Sequence, residues 1–462
     1  MSATEPMNQT RRGFLRNTVT ALAAPMIVRS SVLGADGTTA PSNRINLAMI
    51  GTGNMGKRHM PRLLFDRGVQ VLALCDPDAA RLQEAREIVE SNYAQLLEKG
   101  SYSGCAAVAD FREVLQRKDI DAVMIITPDH WHVPIAIAAA KAGKDIYCEK
   151  PVSMTVRQGR KLVEAVRANN RVFQTGSQYR SKTIIHKALT FVRGGGLGKV
   201  KCAFAQWPKN SVPTVGKSLI PLNPTLPEEP LLKGLDWDRW VGPAPMRPYN
   251  SLYHRNPTPH SVFWAWCADF GLGAVTYVHA HFADNLQWAL GMEESGPVEI
   301  IHPSTGQFPT LTCRYANGTL LHQVEDMQDV KRIDHAVPDS ARMDGYRGGV
   351  LVGERGWVSV QFSRKMEGGP ESIFDEMKLK NRDTTASADK HHQNWFDCIR
   401  DRQKPSAHEE IGHRAASLGQ LITASYKLGR SLKWDPTAEI FPGDDEANRL
   451  LECPVARAEW AM

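Results

Sequence analysis

Short apolar runs, each emptying into glycine or polar turn residues, alternate with longer stretches of helical period through the first part of the chain. Ile45–Ile50, Val69–Cys75, 121–126, Asp145–Cys148 and 171–175 read as strands, and 133–142 and 155–169 as helices. Strands alternating with helices predict a doubly wound parallel α/β sheet. Ligands bind such sheets just past the strand C-termini. That places 127–132, 149–151 and 178–180 around one site. The second half changes character: 311–324 reads as a hairpin turning at Asn317-Gly318, and 349–362 as another turning near 354–356. With 199–207 and 298–303 these make a mostly antiparallel sheet in an α+β domain.

Between the two patterns, residues 208–259 hold eleven of the 28 prolines, with Trp237, Trp240, Tyr249 and Tyr253. So long a stretch without secondary structure points to a function. It reads as a wall or lid over the site, its aromatic faces suited to sugar rings, or as a proline-rich surface excursion. The expected division is 1–35 an export signal, 36–43 a linker, 44–178 the dinucleotide-binding domain, 179–435 a substrate and oligomerisation domain, and 436–462 a tail.

Composition narrows the class. The 462 residues suit two to three domains, and 42% hydrophobic with 23% charged residues is globular usage. A net charge of +6 without a basic block argues against nucleic acid. No apolar run approaches the ~18 residues of a membrane span, so a soluble mature chain is expected. The eight cysteines form no Cys-x-x-Cys pair, which removes zinc-finger and thioredoxin-like sites. At the N-terminus, Thr10-Arg11-Arg12-Gly13-Phe14-Leu15-Arg16 precedes a mild apolar stretch and small residues. This resembles a twin-arginine signal, which exports proteins already folded around a cofactor, and predicts a periplasmic protein.

The strongest chemistry follows the first strand. Gly51-Thr52-Gly53-Asn54-Met55-Gly56 is Gly-x-Gly-x-x-Gly between a strand and a helix, a cradle for a pyrophosphate at the helix N-terminus. Asp76 ends the second strand, 20 residues after Gly56. An acid there accepts from a ribose 2′-hydroxyl and repels a 2′-phosphate, so NAD is favoured over NADP.

Taken together, these residues with Thr127-Pro128-Asp129-His130-Trp131-His132, Glu149-Lys150-Pro151, Asp269-Phe270-Gly271-Leu272-Gly273-Ala274, His392-Gln393-Asn394-Trp395 and Trp434-Asp435-Pro436 resemble the Gfo/Idh/MocA oxidoreductase family, in its secreted branch. The resemblance implies an NAD enzyme acting on a sugar or cyclic polyol, and a homo-oligomer, dimer or tetramer. It assigns Gly51, Gly53, Asn54, Met55, Gly56, Asp76, Thr127, Pro128, His130, His132 and Glu149 to the cofactor. Lys150 would touch both cofactor and substrate, with Tyr179, Arg180, His281 and Asp284 on the substrate side. An ammonium in a closed cleft polarises the oxygen of the reacting carbon.

The family's Asp-x-x-x-His pair is altered: His281 fits the histidine, but Tyr277 stands at the aspartate. Tyr277 is an acid/base acidified by Lys150, or a packing residue beside a lone His281, or the mark of a site that only binds. A fourth idea, a metal on His279, His281 and Asp284, requires a strand, because on a helix His279 and His281 diverge. Export, away from any NAD pool, adds an alternative: an enzyme that retains NAD and regenerates it in place, cleaving glycosides, epimerising or coupling two sugars. A non-catalytic sugar-binding protein is the second alternative.

Overall fold

The structure is a computed structural model that describes residues 43–98, 102–206, 220–255, 263–324, 327–334, 337, 348–361, 365–384 and 390–460. The expected signal at 1–35 lies outside them.

Six parallel strands form the first sheet: β1 (Ile45–Ile50), β2 (Val69–Cys75), β3 (Ala106–Val108), β4 (Ala122–Ile125), β5 (Asp145–Cys148) and β6 (Phe173–Thr175), in the order β3-β2-β1-β4-β5-β6. Every residue of β4 and β5 is buried, because helices cover both faces, and their sequences are accordingly near-continuous apolar runs. The order reverses between β1 and β4, and the crevice opens there, beyond Ile50 and Ile125. The covering helices include α1 (Asn54–Leu64), α2 (Ala79–Asn92), α3 (Asp129–Lys141) and α4 (Val156–Ala168).

Helix α3 departs from the sequence reading. It starts at Asp129, not at Val133, with Pro128 as its N-cap. Pro128 sets a φ compatible with entry, and the Asp129 carboxyl suits the positive end of the helix dipole. The His130-Trp131-His132 run is therefore the first helical turn, and its side chains fan onto different faces.

The second sheet has eight strands: β7 (Val200–Gln206), β8 (Glu299–Ile301), β9 (Thr312–Arg314), β10 (Leu320–Val324), β11 (Gly348–Gly353), β12 (Gly356–Gln361), β13 (Glu367–Gly369) and β14 (Leu432–Lys433). It is antiparallel except where β7 pairs with β10. Helices α5 (Thr183–Arg193) and α6 (Gly273–Ala289) cover one face.

Two later helices tie the layers together. α7 (His391–Asp401) returns to the first sheet, burying Trp395, Phe396 and Ile399 with Leu47 and Val71. α8 (Glu409–Leu428) runs between α4 and α6. Glycines permit that approach: a Cβ on Gly412 would sit 2.0 Å from Thr175 Oγ1, and one on Gly419 2.8 Å from Thr276 Oγ1.

The described part of the proline-rich insertion, 220–255, is not a surface excursion: Trp237, Trp240, Tyr249 and Tyr253 are buried. Trp237 and Trp240 stack at 4.8 Å, and Tyr249, Tyr253 and Phe270 close around them as a small core of their own. That core docks on the first domain. Ala79 N donates to Gly234 O (3.0 Å), Asp236 N to Pro77 O (2.9 Å) and Trp131 Nε1 to Trp240 O (3.0 Å).

Candidate functional site

The crevice at the strand reversal is a cavity of about 250 Å³. Gly51 leaves β1 with φ +96°, and a Cβ there would lie 2.3 Å from Ile126 O; one on Gly56 would lie 2.4 Å from Gly51 O. These glycines let β1, β4 and α1 converge. Gly53 differs: the nearest protein atom to its Cβ position is Arg81 Nη1 at 3.6 Å, so its face is open to the cavity. Helix α1 begins there without a side-chain cap or a first-turn acid, which leaves its terminal N–H groups for an anion. The residues fit a dinucleotide pyrophosphate.

Asp76 closes one end. Its Oδ2 accepts from Thr52 N (2.8 Å) and Thr52 Oγ1 (3.1 Å), and its Oδ1 from Asp78 N (3.0 Å). It therefore ties the glycine loop to the end of β2 while facing the cavity, and each carboxylate oxygen retains acceptor capacity for a hydroxyl. Asp78 caps α2, its carboxyl drawn down to about 2: burial alone would raise it, and His254, at 3.1 Å, with Arg81 more than offsets that. Arg81 also donates Nη2 to His254 O at 2.8 Å. Through His254 and Trp240 the insertion forms part of the cavity wall, and Trp460, near the other end of the sequence, forms another part.

Lys150 lines the same cavity, after β5, with a cis bond to Pro151. Glu149 beside it is committed elsewhere: it accepts from Gln178 Nε2 (2.8 Å) and Lys150 N (3.2 Å), and its Oε1 lies 3.0 Å from His59 Nε2. Burial would raise its carboxyl, but His59 and Lys150 hold it below the ordinary range. His59 Nδ1 in turn lies 2.9 Å from His392 Nε2, and burial pushes His392 down to about 2. Thr127 and Pro128 line the cavity, as do Asn54 and Met55.

The two histidines of α3 part ways. His132 lies on the cavity wall, its ring nitrogens 2.7 Å from Pro151 O and 2.9 Å from Thr127 O, so it holds the ends of β4 and β5 together. His130 faces away from the cavity assigned to the cofactor. Its nitrogens lie 3.3 Å from Phe270 O and 3.2 Å from Trp240 O, and it borders a second cavity. Burial draws His130 down to about 4, so it is a neutral ring anchoring the insertion.

The substrate-side residues fall into two pairs. Tyr179 meets His281 edge-on, ring centroids 4.5 Å apart. Arg180 and Asp284 bind each other: Arg180 Nε donates to both Asp284 oxygens. Burial raises the Asp284 carboxyl and Arg180 pulls it back. Tyr277 belongs to α6, one turn before His281, and its side chain lies outside the described residues. Because α6 is a helix, positions 279 and 281 diverge by about 200°. Among the described residues no cluster of His, Cys, Asp or Glu could hold a metal ion. Nor is any described helix long and apolar enough to cross a membrane.

The sequence places 127–132 at the site but gives Asp129 no role; the residue lines the cavity, an acid directly after a strand-ending Thr-Pro. Arg81, His254 and Trp460 left no local signal, since only the folded chain brings them there.

A parallel sheet in this order, a glycine cradle and an acid ending β2 define a dinucleotide-binding protein. Residues 45–177 match the model described as "Oxidoreductase family, NAD-binding Rossmann fold", and 218–359 with 361–462 match "Oxidoreductase family, C-terminal alpha/beta domain". The chain belongs to the Gfo/Idh/MocA oxidoreductase family. It is 31% identical over 163 residues to levoglucosan dehydrogenase of Pseudarthrobacter phenanthrenivorans, covering 34% of this chain and 39% of that protein. It is 29% identical over 159 residues to a glycosyl hydrolase family 109 protein of Shewanella pealeana, covering 34% and 33%. These matches thus span less than half of each relative. Among solved structures, levoglucosan dehydrogenase with NADH and L-sorbose superposes with TM-score 0.55 at 17% identity, over 85% of this chain and 99% of the other. Aldose-aldose oxidoreductase from Caulobacter crescentus gives 0.54 at 16%, over 84% and 99%. At such identities the likeness is one of fold.

Proposed function

We propose that the protein is an NAD-dependent oxidoreductase acting on a hydroxyl-bearing carbon of a sugar, polyol or glycoside. The observation that carries this is the shared cavity of the glycine cradle and Lys150. NAD, when bound, supplies the hydride acceptor. The Gly51–Gly56 loop and the α1 amides would hold its phosphates, and Asp76 its ribose hydroxyls. Lys150 orients the reacting hydroxyl and draws on its proton. His281, with Tyr179 against it, is the second proton-moving group, and Tyr277, a turn earlier in α6, the third. The test is NADH formation at 340 nm across a panel of sugars, polyols and glycosides. The purified protein should reduce NAD with at least one, and Lys150→Ala should lower the rate roughly 10²- to 10⁴-fold. Failure to bind NAD would remove the reading.

One observation favours the NAD-retaining variant of this chemistry. The insertion is hydrogen-bonded to the Pro77–Ala79 segment beside Asp76, and with Trp460 it forms part of the wall of the dinucleotide cavity. A cofactor bound behind packed backbone leaves slowly, which suits reactions without net redox change; similarity to glycosyl hydrolase family 109 proteins supports this. Mass spectrometry of the protein as purified should find NAD(H), and His254→Ala should shorten its residence. Cofactor-free protein that exchanges NAD within seconds would favour the ordinary dehydrogenase. Export by the twin-arginine route to the periplasm is proposed from Arg11-Arg12 and its flanks. A homo-oligomer is proposed from the family resemblance.

A further inference from the structure

We propose that Asp129 is a proton-holding carboxyl set behind Lys150, and that it governs when the Lys150 amine can take a proton from the substrate hydroxyl. The inference rests on the oxidoreductase reading above and adds a residue to it.

Asp129 opens α3 immediately beyond the β4 turn and is 1% exposed. It forms part of the same cavity wall as Lys150, Glu149 and Thr127. Both carboxyl oxygens are buried without a side-chain hydrogen-bond partner among the described residues. Other buried acids here are paired: Asp284 with Arg180, Asp145 with Arg402, Glu410 with Arg160. An unpaired buried carboxylate is costly, so such a group keeps its proton or works.

Lys150, Glu149 and Cys148 face Asp129 from β5 and its end, and the Leu272 amide faces it from the loop before α6. Burial pushes the carboxyl well above its ordinary range. The Lys150 charge and the Leu272 amide offset only part of this, and Glu149 adds to it. The charge on Asp129 and the charge on Lys150 therefore depend on each other in a low-dielectric wall. A protonated Asp129 no longer favours the Lys150 ammonium, so the lysine gives up its proton more readily.

The step balances. The hydroxyl O–H bond breaks and its proton goes to Lys150 Nζ. The C–H bond breaks with its electron pair leaving as hydride to NAD, the oxidant, and the C=O bond forms. Asp129 then releases its proton, leaving an ammonium–carboxylate pair, and one proton leaves the site per hydroxyl oxidised. Because its oxygens are shielded, Asp129 acts through Lys150 and is a positioning residue.

Asp129→Asn keeps the shape and cannot ionise. We expect kcat to fall roughly 10²-fold with KM within a few-fold, and the acid limb of the pH profile to move. A second readout needs neither substrate nor cofactor. A carboxyl whose folded pKa is raised costs stability as pH rises from its unfolded value through the folded one. Asp129→Asn should therefore melt above the unmodified protein at pH 7, the gap closing in acid. If the variant does not fold, 13C NMR of aspartate-labelled native protein should show one carboxyl titrating well above the others and shifting in Lys150→Met. An unmoved pH profile, or lost activity without the pH-dependent stability gap, overturns the proposal, as does a carboxyl titrating in the ordinary range. Failure of the oxidoreductase reading would appear separately, as no NAD reduction with any substrate while the titration persists.

Discussion

Arg180 Nε donates to both carboxylate oxygens of Asp284, at 2.8 and 2.7 Å, and the two side chains are 4% and 2% exposed. The pair links the start of the second domain to α6, and Arg180 Nη1 adds Ser406 O at 3.1 Å. Removing one member strands the other charge in the interior. Asp284→Ala should cost about 3–5 kcal/mol, whereas replacing both with apolar residues of similar volume should recover most of it. Chemical denaturation of the three variants decides this. Equal losses in the single and double variants would mean that packing, not charge, holds the site.

The same pair shows where sequence stops informing. β1, the glycine loop and Asp76 were legible because each depends on local rules: an apolar run, backbone that only glycine adopts, an acid at a strand end. Arg180 and Asp284 were legible as important, but their pairing was not, since 104 residues separate partners that neutralise each other. His130 was placed at the cofactor by its motif, yet its neighbours are carbonyls 140 and 110 residues away. The insertion's aromatic residues invited a sugar-binding reading because nothing local reveals that they bury one another. Asp129 carried its signal in plain view, but its meaning depends on the burial around it.

Asp76 should discriminate between cofactors. Its carboxylate is fixed by Thr52 and Asp78 N–H groups and faces the cavity, so a 2′-phosphate would meet a held negative charge. Asp76→Asn removes the charge and should narrow the NADH-over-NADPH preference by about tenfold, the equivalent of ~1.4 kcal/mol. Fluorescence titration with both cofactors measures it. Equal affinities in the unmodified protein would remove Asp76 as the discriminator.

Acid stability should depend on the cluster that joins α4 to α8. Arg160 donates to both oxygens of Glu410 (2.8 Å each) and to Glu439 (2.9 Å each), and Arg414 Nε reaches Glu410 at 2.8 Å. Burial alone would raise the Glu410 carboxyl, but these arginines hold it at about 2. A carboxyl depressed on folding stabilises above its unfolded pKa, ~4.3, and the benefit is lost as pH falls toward its folded value. The melting temperature should therefore drop between about pH 4.5 and 2. Glu410→Gln should lower it at pH 7, by the equivalent of roughly 3 kcal/mol, and flatten the acid slope. A variant with the native slope would place the acid sensitivity elsewhere.

Lys150 and Tyr277 should separate in their kinetics. Lys150→Met keeps the aliphatic stem and deletes the amine at the cavity wall; turnover should fall 10²- to 10⁴-fold with NAD binding retained. Tyr277 lies one helical turn before His281 in α6, so the two positions share a face. A phenol titrates on the alkaline side, at ~10. Tyr277→Phe preserves the ring and should remove the alkaline limb of the pH–rate profile, while the acid limb assigned to Asp129 and Lys150 stays in place. Tyr277→Asp would set a carboxylate four residues before His281 and should raise turnover on free sugars. If Tyr277→Phe keeps both limbs and full turnover, the tyrosine only packs. The proton then passes through Lys150 and His281 alone.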